Sequence, residues 1–205
     1  MEISTNLVRE LREKTGAGVM DCKKALAQAS GDFDKAVHWL REKGVAQVAQ
    51  RAGRAVREGL VASYIHPGSK IGVLIEVNCE SDFVARTPEF QTLARELAMQ
   101  VAAASPRCVR REEVAAAVVE QERQIYLAQA AGKPSAVVEQ IVSGRLEKFF
   151  REVCLLEQGY IRDPARTVGE LLGEFVGKLG ERIEVRRFAR FQLGEALDSA
   201  APISA

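Results

Sequence analysis

Residues 60 to 78 constrain the fold more tightly than any other stretch of the chain. Leu60 to Ile65 is rich in β-forming side chains, His66-Pro67-Gly68-Ser69 is turn chemistry, and from Ile71 to Asn78 the apolar residues Val73, Ile75 and Val77 alternate with their neighbours. This is a hairpin. A third strand is predicted far downstream, where Ile183, Val185, Ala189, Phe191 and Leu193 alternate with Arg182, Glu184, Arg186, Arg190 and Gln192. That alternation gives it one apolar and one wet face, with Arg187 and Phe188 each pointing the unexpected way.

Everything around these strands cycles at helical spacing. The first 45 residues read as three short helices. Ser4 is placed to cap one carrying Leu7, Val8 and Leu11, which stops at Thr15-Gly16. The second follows Gly18, shows Met20, Leu26 and Ala29, and breaks at Ser30-Gly31. The third starts at Asp32 or Asp34 and carries Phe33, Val37, Trp39 and Leu40 up to Lys43-Gly44. Helices this short, joined by brief connections, hide their stripes only by packing on each other, which predicts a three-helix bundle. Thr87-Pro88 caps another helix carrying Phe90, Leu93, Leu97 and Val101. Residues 110–131 and 135–157 make a long helical hairpin around Gly132-Lys133-Pro134, and Val168 to Leu179 form a final stripe before Gly180. The fold class is therefore α+β, with a helical head followed by a three-stranded antiparallel sheet packed with helices. The expected boundaries are a head at 1–45, a basic connector at 46–57, an α+β core at 58–197 and a flexible tail at 198–205.

Charge and composition narrow the function by exclusion. The chain has 29 basic and 28 acidic side chains, a net charge of +1, which argues against a protein that coats nucleic acid. Eleven basic and seven acidic residues lie in the first 57, so a modestly positive head sits on a modestly negative body. No apolar run approaches the roughly 18 residues of a membrane helix, and Met1-Glu2-Ile3-Ser4 does not read as a secretion signal. Cys22, Cys79, Cys108 and Cys154 are far apart, which fits free thiols in a reducing cytoplasm better than a zinc site or a disulfide framework. Phosphate-loop and dinucleotide-binding glycine patterns are absent, and His38 and His66 have no nucleophile paired with them by spacing. No enzyme, metal site or cofactor is expected.

One segment resists a purely structural account. After the second strand the chain reads Glu76-Val77-Asn78-Cys79-Glu80-Ser81-Asp82-Phe83-Val84-Ala85-Arg86. Asp82 and Phe83 fall in a strand-to-helix connection, where side chains are often displayed on a rigid frame. Here Asp82 could cap a turn and Phe83 could fill the core, or both could face a partner.

That segment, together with Leu11-Arg12-Glu13-Lys14-Thr15-Gly16-Ala17-Gly18-Val19-Met20-Asp21-Cys22-Lys23-Lys24-Ala25-Leu26, resembles the elongation factor Ts family. Val19 stands where the family usually has methionine and Ser81 where it has threonine. The stretches Phe149 to Gln158 and Arg187 to Gly194 are also similar, so the likeness covers nearly the whole chain. The resemblance implies a head like a ubiquitin-associated (UBA) domain and a cytoplasmic exchange factor that binds the GTPase elongation factor Tu in its GDP state. It implies that Val19, Met20 and Lys23 dock the head on that GTPase. It implies further that Ser81, Asp82, Phe83 and Val84 disturb its magnesium and phosphate site, with Phe83 as the wedge. Short members of the family act as homodimers, and the apolar second arm of the helical hairpin is a reasonable place for self-association. The competing reading of the head is a free-standing peptide- or ubiquitin-binding module.

Overall fold

The apolar stripes of the head meet as their spacing requires. In the computed structural model, residues 3–51, 53–132 and 134–196 are described. Helices α1 (Thr5–Thr15), α2 (Val19–Gln28) and α3 (Phe33–Arg51) close around Leu11, Cys22, Ala25, Leu26 and Ala36. Helix α1 ends at Gly16, which is left-handed at φ 67° and whose N–H donates to the Arg12 carbonyl at 2.7 Å. Ser4 occupies the N-cap position, but its hydroxyl makes no capping bond.

After the head come β1 (Glu58–Ile65), β2 (Ile71–Cys79), α4 (Asp82–Ala85), α5 (Pro88–Ala104), α6 (Ala116–Gln129) and α7 (Ser135–Val153). Strands β3 (Gly159–Tyr160) and β4 (Asp163–Thr167), helix α8 (Val168–Leu179) and strand β5 (Glu184–Gln192) complete the described order. The main sheet is antiparallel with the order β1-β2-β5. Val73, Ile75 and Val77 of its central strand are covered by Phe90, Leu93, Leu97 and Val101 of α5, and Val168, Leu171 and Val176 of α8 belong to the same buried cluster. Thr87 caps α5 by accepting from the Phe90 N–H at 3.3 Å, with Pro88 in the first turn. Thr167 and Glu170 form a capping box at the start of α8.

The structure corrects the sequence reading at four places. Helix α3 does not stop at Gly44 but continues to Arg51, so residues 46–51 of the expected connector are helical. Gly44 is a contact point instead of a stop: a Cβ there would lie 3.0 Å from the Gly173 carbonyl oxygen of α8, tighter than Cβ atoms ordinarily come, so glycine suits the close approach of the two helices. The arms of the helical hairpin are shorter than expected, because short 3-10 turns occupy Arg111–Glu113 and Leu155–Glu157. The Arg111 guanidinium joins those ends, pairing with Glu147 at 2.6 Å and with Glu157. The β3–β4 ribbon was not foreseen, since two- and five-residue strands are too short to show a period. It is held by buried Gln100, which donates to Gln158 and to the Gly159 carbonyl, both at 3.2 Å, and accepts from the Ile161 N–H at 2.9 Å.

The fourth correction concerns β5. Glu76 pairs with Arg187 while Val77 pairs with Val185, leaving Arg186 as the extra residue of a bulge. Past the bulge the faces exchange. Phe188 packs against the core and Arg190 pairs with inward-facing Val73, whereas Ala189 and Phe191 take the outer face expected to be wet. Phe191 is 68% exposed and Leu193 beyond the strand 75% exposed. The two residues that broke the alternation mark the bulge. The tail expected at 198–205, Lys133 of the hairpin turn and the N-terminal Met1-Glu2 lie outside the described residues. Among the described residues, no helix is long and apolar enough to cross a membrane.

Candidate partner-docking site

The connection after β2 ends in a single helical turn, α4, whose footing is unusually well tied. Ser81 is its N-cap and its Oγ accepts from the Val84 N–H at 3.4 Å. The same hydroxyl donates to Glu181 Oε1 at 2.5 Å, and Glu181 Oε2 accepts the backbone N–H groups of both Glu80 and Ser81 at 3.0 Å. Glu80 returns the grip. It accepts from the Arg182 N–H at 2.6 Å, and the Arg54 guanidinium lies 3.2 Å from both of its carboxylate oxygens. The Arg182 N–H bond, with help from Arg54, holds the Glu80 carboxyl below the usual carboxylate range. The two segments, about a hundred residues apart in sequence, thus clasp each other through charge-assisted bonds, which are stronger than neutral ones.

On this footing the four motif residues divide into display and anchorage. Val84 is buried in the core cluster beside Ala85, so it anchors the turn and presents no surface. Cys79 is buried beneath, its thiol pushed up to about 11 by burial and by the Glu181 charge. Asp82 faces solvent and pairs with Arg86 at 2.7 Å. Phe83 projects outward, 81% exposed. An isolated exposed apolar side chain is ordinary on a protein surface; one aromatic ring on a turn fixed by Glu80, Ser81, Val84 and Glu181 is suited to pushing into another molecule.

The head residues form a second exposed group. Helix α2 turns Cys22, Ala25 and Leu26 inward. Met20 therefore leaves the apolar face the spacing had given it and is 65% exposed, beside half-exposed Val19 and exposed Lys23. These three lie on adjacent turns of one outer face. The loop preceding them approaches the body: a Cβ on Gly16 would meet Lys178 Cδ at 3.2 Å, and Lys178 Nζ is 3.9 Å from Glu89 in the first turn of α5, just after the Phe83 turn.

Head and body meet along α3 and α8 in a cleft edged with charge. Glu174 sits there between Arg166, at 2.5 Å, and Arg41, at 3.8 Å, and Arg166 also reaches Asp163 at 3.2 Å. Burial raises the Glu174 carboxyl above its ordinary value despite both arginines. Among the described residues, no three metal-ligating side chains converge.

On the apolar second arm of the hairpin Val142, Phe149 and Val153 are buried, while Val138, Ile141, Leu146 and Phe150 are half-buried. Among the described residues, the broadest run of exposed large apolar side chains lies on the outer face of the sheet, at Val61, Ile65, Leu74 and Phe191, with Leu193 just beyond. Sequence reasoning missed this face because the bulge hides it, and it missed Glu181 because no local pattern announces a partner so distant in the chain.

A family model described as Elongation factor TS matches residues 5–195. The elongation factor Ts of Thermoanaerobacter sp. (strain X514) is 58% identical over 201 residues, covering 97% of this chain and 98% of that protein. The protein of the same name from Desulforamulus reducens is 56% identical over 199 residues, covering 96% of this chain and 92% of its own length. That of Anaeromyxobacter dehalogenans (strain 2CP-1 / ATCC BAA-258) is 59% identical over 199 residues, 96% of this chain and 91% of its own length.

Proposed function

The chain belongs to the elongation factor Ts family of translation elongation factors, and on that premise we propose that it is the cytoplasmic guanine-nucleotide exchange factor of elongation factor Tu. It binds the GDP-loaded GTPase, promotes GDP release by disturbing the magnesium and phosphate site, and stays until GTP binds. The observation that carries this reading is the exposed Phe83 ring on a turn clasped from below by Glu80 and Glu181.

A GTPase holds its nucleotide through magnesium and oriented backbone N–H groups around the phosphates. Releasing it requires no bond-making, only a partner that binds the empty state better than the filled one. The coupling is reciprocal, so GDP weakens the factor's hold by the same factor that the factor weakens GDP's. Burying one phenylalanine contributes about 1.5–3 kcal/mol, whereas moving a two-state equilibrium from about 1:99 to 99:1 needs roughly 5.5 kcal/mol. Phe83 therefore works with a second grip, supplied by Val19, Met20 and Lys23 of the UBA-like head and by the body. Asp82 flanks the wedge, Ser81 fixes its turn, and Val84 roots it.

We further propose that the protein acts as a homodimer, joined through the outer sheet face and not the hairpin arm. Two antiparallel sheets pack well face to face at about 10 Å, and an isologous contact suits a patch that is apolar at its centre. Elongation factor Tu loaded with fluorescent GDP tests the exchange reading directly: the factor should speed dye release, and release at the unaided rate would overturn it.

A further inference from the structure

Two of the four thiols meet at the base of the helical hairpin. We propose that Cys108 and Cys154 are an oxidisable pair, which hydrogen peroxide converts into an intrachain disulfide tying that base to the loop after α5. The proposal is independent of the exchange reading.

The geometry is set by the backbone. Helix α5 ends at Ser105, which is left-handed at φ 48°, and the chain turns to run beside the segment leaving α7. The Arg107 and Cys108 N–H groups both donate to the Val153 carbonyl, at 2.8 and 3.2 Å, and the Leu155 N–H donates to the Cys108 carbonyl at 3.0 Å. Leu156 continues the ladder to Val109 at 3.1 Å. This bridge sets Cys108 opposite Cys154 in parallel register. Paired strands lie about 4.7–4.9 Å apart, within the Cα separation of roughly 4.4–6.8 Å that a disulfide spans. The sulfurs are already in contact at 3.6 Å, so side-chain rotation and a small backbone adjustment bring them to bonding distance.

The chemistry balances with one peroxide. Cys108, partly exposed where Cys154 is buried, meets the oxidant first. Its sulfur attacks a peroxide oxygen, the O–O bond breaks, and water leaves with a sulfenic acid formed on Cys108. The Cys154 sulfur then displaces the hydroxyl, which departs as a second water carrying the Cys154 proton. Two thiols are oxidised by one electron each and the peroxide is reduced by two. Burial raises both thiols, Cys154 to about 12, so the reaction is slow and suits sustained oxidant in place of catalytic turnover. The competing account is that both sulfurs merely fill the small cluster formed with Val114, Phe149, Phe150 and Val153.

The test exposes the reduced, full-length protein to hydrogen peroxide and maps it by mass spectrometry under non-reducing conditions. The expected result is loss of two hydrogen atoms within one chain and a joined Cys108–Cys154 peptide, both reversed by dithiothreitol. The bridge should also raise the thermal midpoint by roughly 5–15 °C, since it closes a long loop. Cys108→Ser, at the less buried position, should retain the fold and lose both effects. Sulfinic acid on Cys108 with Cys154 still a thiol, a bridge between two chains, or both thiols still untouched after prolonged exposure to excess peroxide would each overturn the proposal.

Discussion

Phe83, with 81% of its surface in solvent, adds little to holding the chain folded, so truncating it isolates its work on a partner. We expect Phe83→Ala to change stability by no more than about 0.5 kcal/mol while slowing factor-stimulated GDP release roughly 10- to 100-fold, the equivalent of one buried phenylalanine. Affinity for nucleotide-free elongation factor Tu should fall far less; equal losses in stopped-flow release and in binding would make Phe83 an ordinary contact. Glu181 behaves in the opposite way. Glu181→Ala removes the acceptor of two backbone N–H groups and the Ser81 hydroxyl, which we expect to cost about 1–3 kcal/mol in urea unfolding and to slow release although Phe83 is intact. Unchanged release would show that the turn keeps its shape unaided. The motif around Phe83 was legible in the sequence because it is contiguous. Its brace was not, since Glu181 acts across the fold and its neighbours Gly180 and Arg182 look like any helix end.

At the scale of elements, long periodic runs were readable and short or phase-shifted ones were not. Helices α5 and α8 follow their stripes closely because each buries one face along at least three turns. Strand β5 misled because counting by twos fails at Arg186. A direct comparison follows from that bulge. Phe188→Ala should cost about 2 kcal/mol or more, as it removes a ring packed on the core, while Phe191→Ala should cost no more than about 0.5 kcal/mol in the monomer. Denaturant curves showing the reverse order would return β5 to simple alternation. Gly44 misled in a related way: glycine near the end of an apolar stripe reads as a stop, and only the presence of α8 reveals it as a close approach.

For the whole molecule, we expect the seam between head and body to respond to pH. Burial holds Glu174 above its ordinary value, so the folded protein keeps this proton at a pH where the unfolded chain has lost it. The folded state then binds more protons over the interval just above about 4.5, and this residue's contribution to stability rises as pH falls through it and declines as pH climbs. Glu80 opposes that trend because its carboxyl is held low, so the measurement is a difference. As pH climbs from about 4.5, the thermal midpoint of Glu174→Gln should lack the part of the shift that favours acid in the parent protein. Parallel curves would remove Glu174 from the seam's titration. The outer sheet face makes its own prediction at this scale. Phe191→Asp should convert a dimer to a monomer by sedimentation at micromolar concentration, and an unaltered sedimentation coefficient would move the contact elsewhere.

One consequence of the bare glycine contact between α3 and α8 concerns leverage. With 3.0 Å from a Gly44 Cβ position to the Gly173 oxygen, the helix that completes the head also lies flush on the body, leaving little slack at the joint. The Met20 surface and the Phe83 tip then resemble the two jaws of a caliper. On the exchange reading proposed above, a GTPase that fits both jaws only when empty would have to change its own shape to be measured, and the nucleotide would be what gives way.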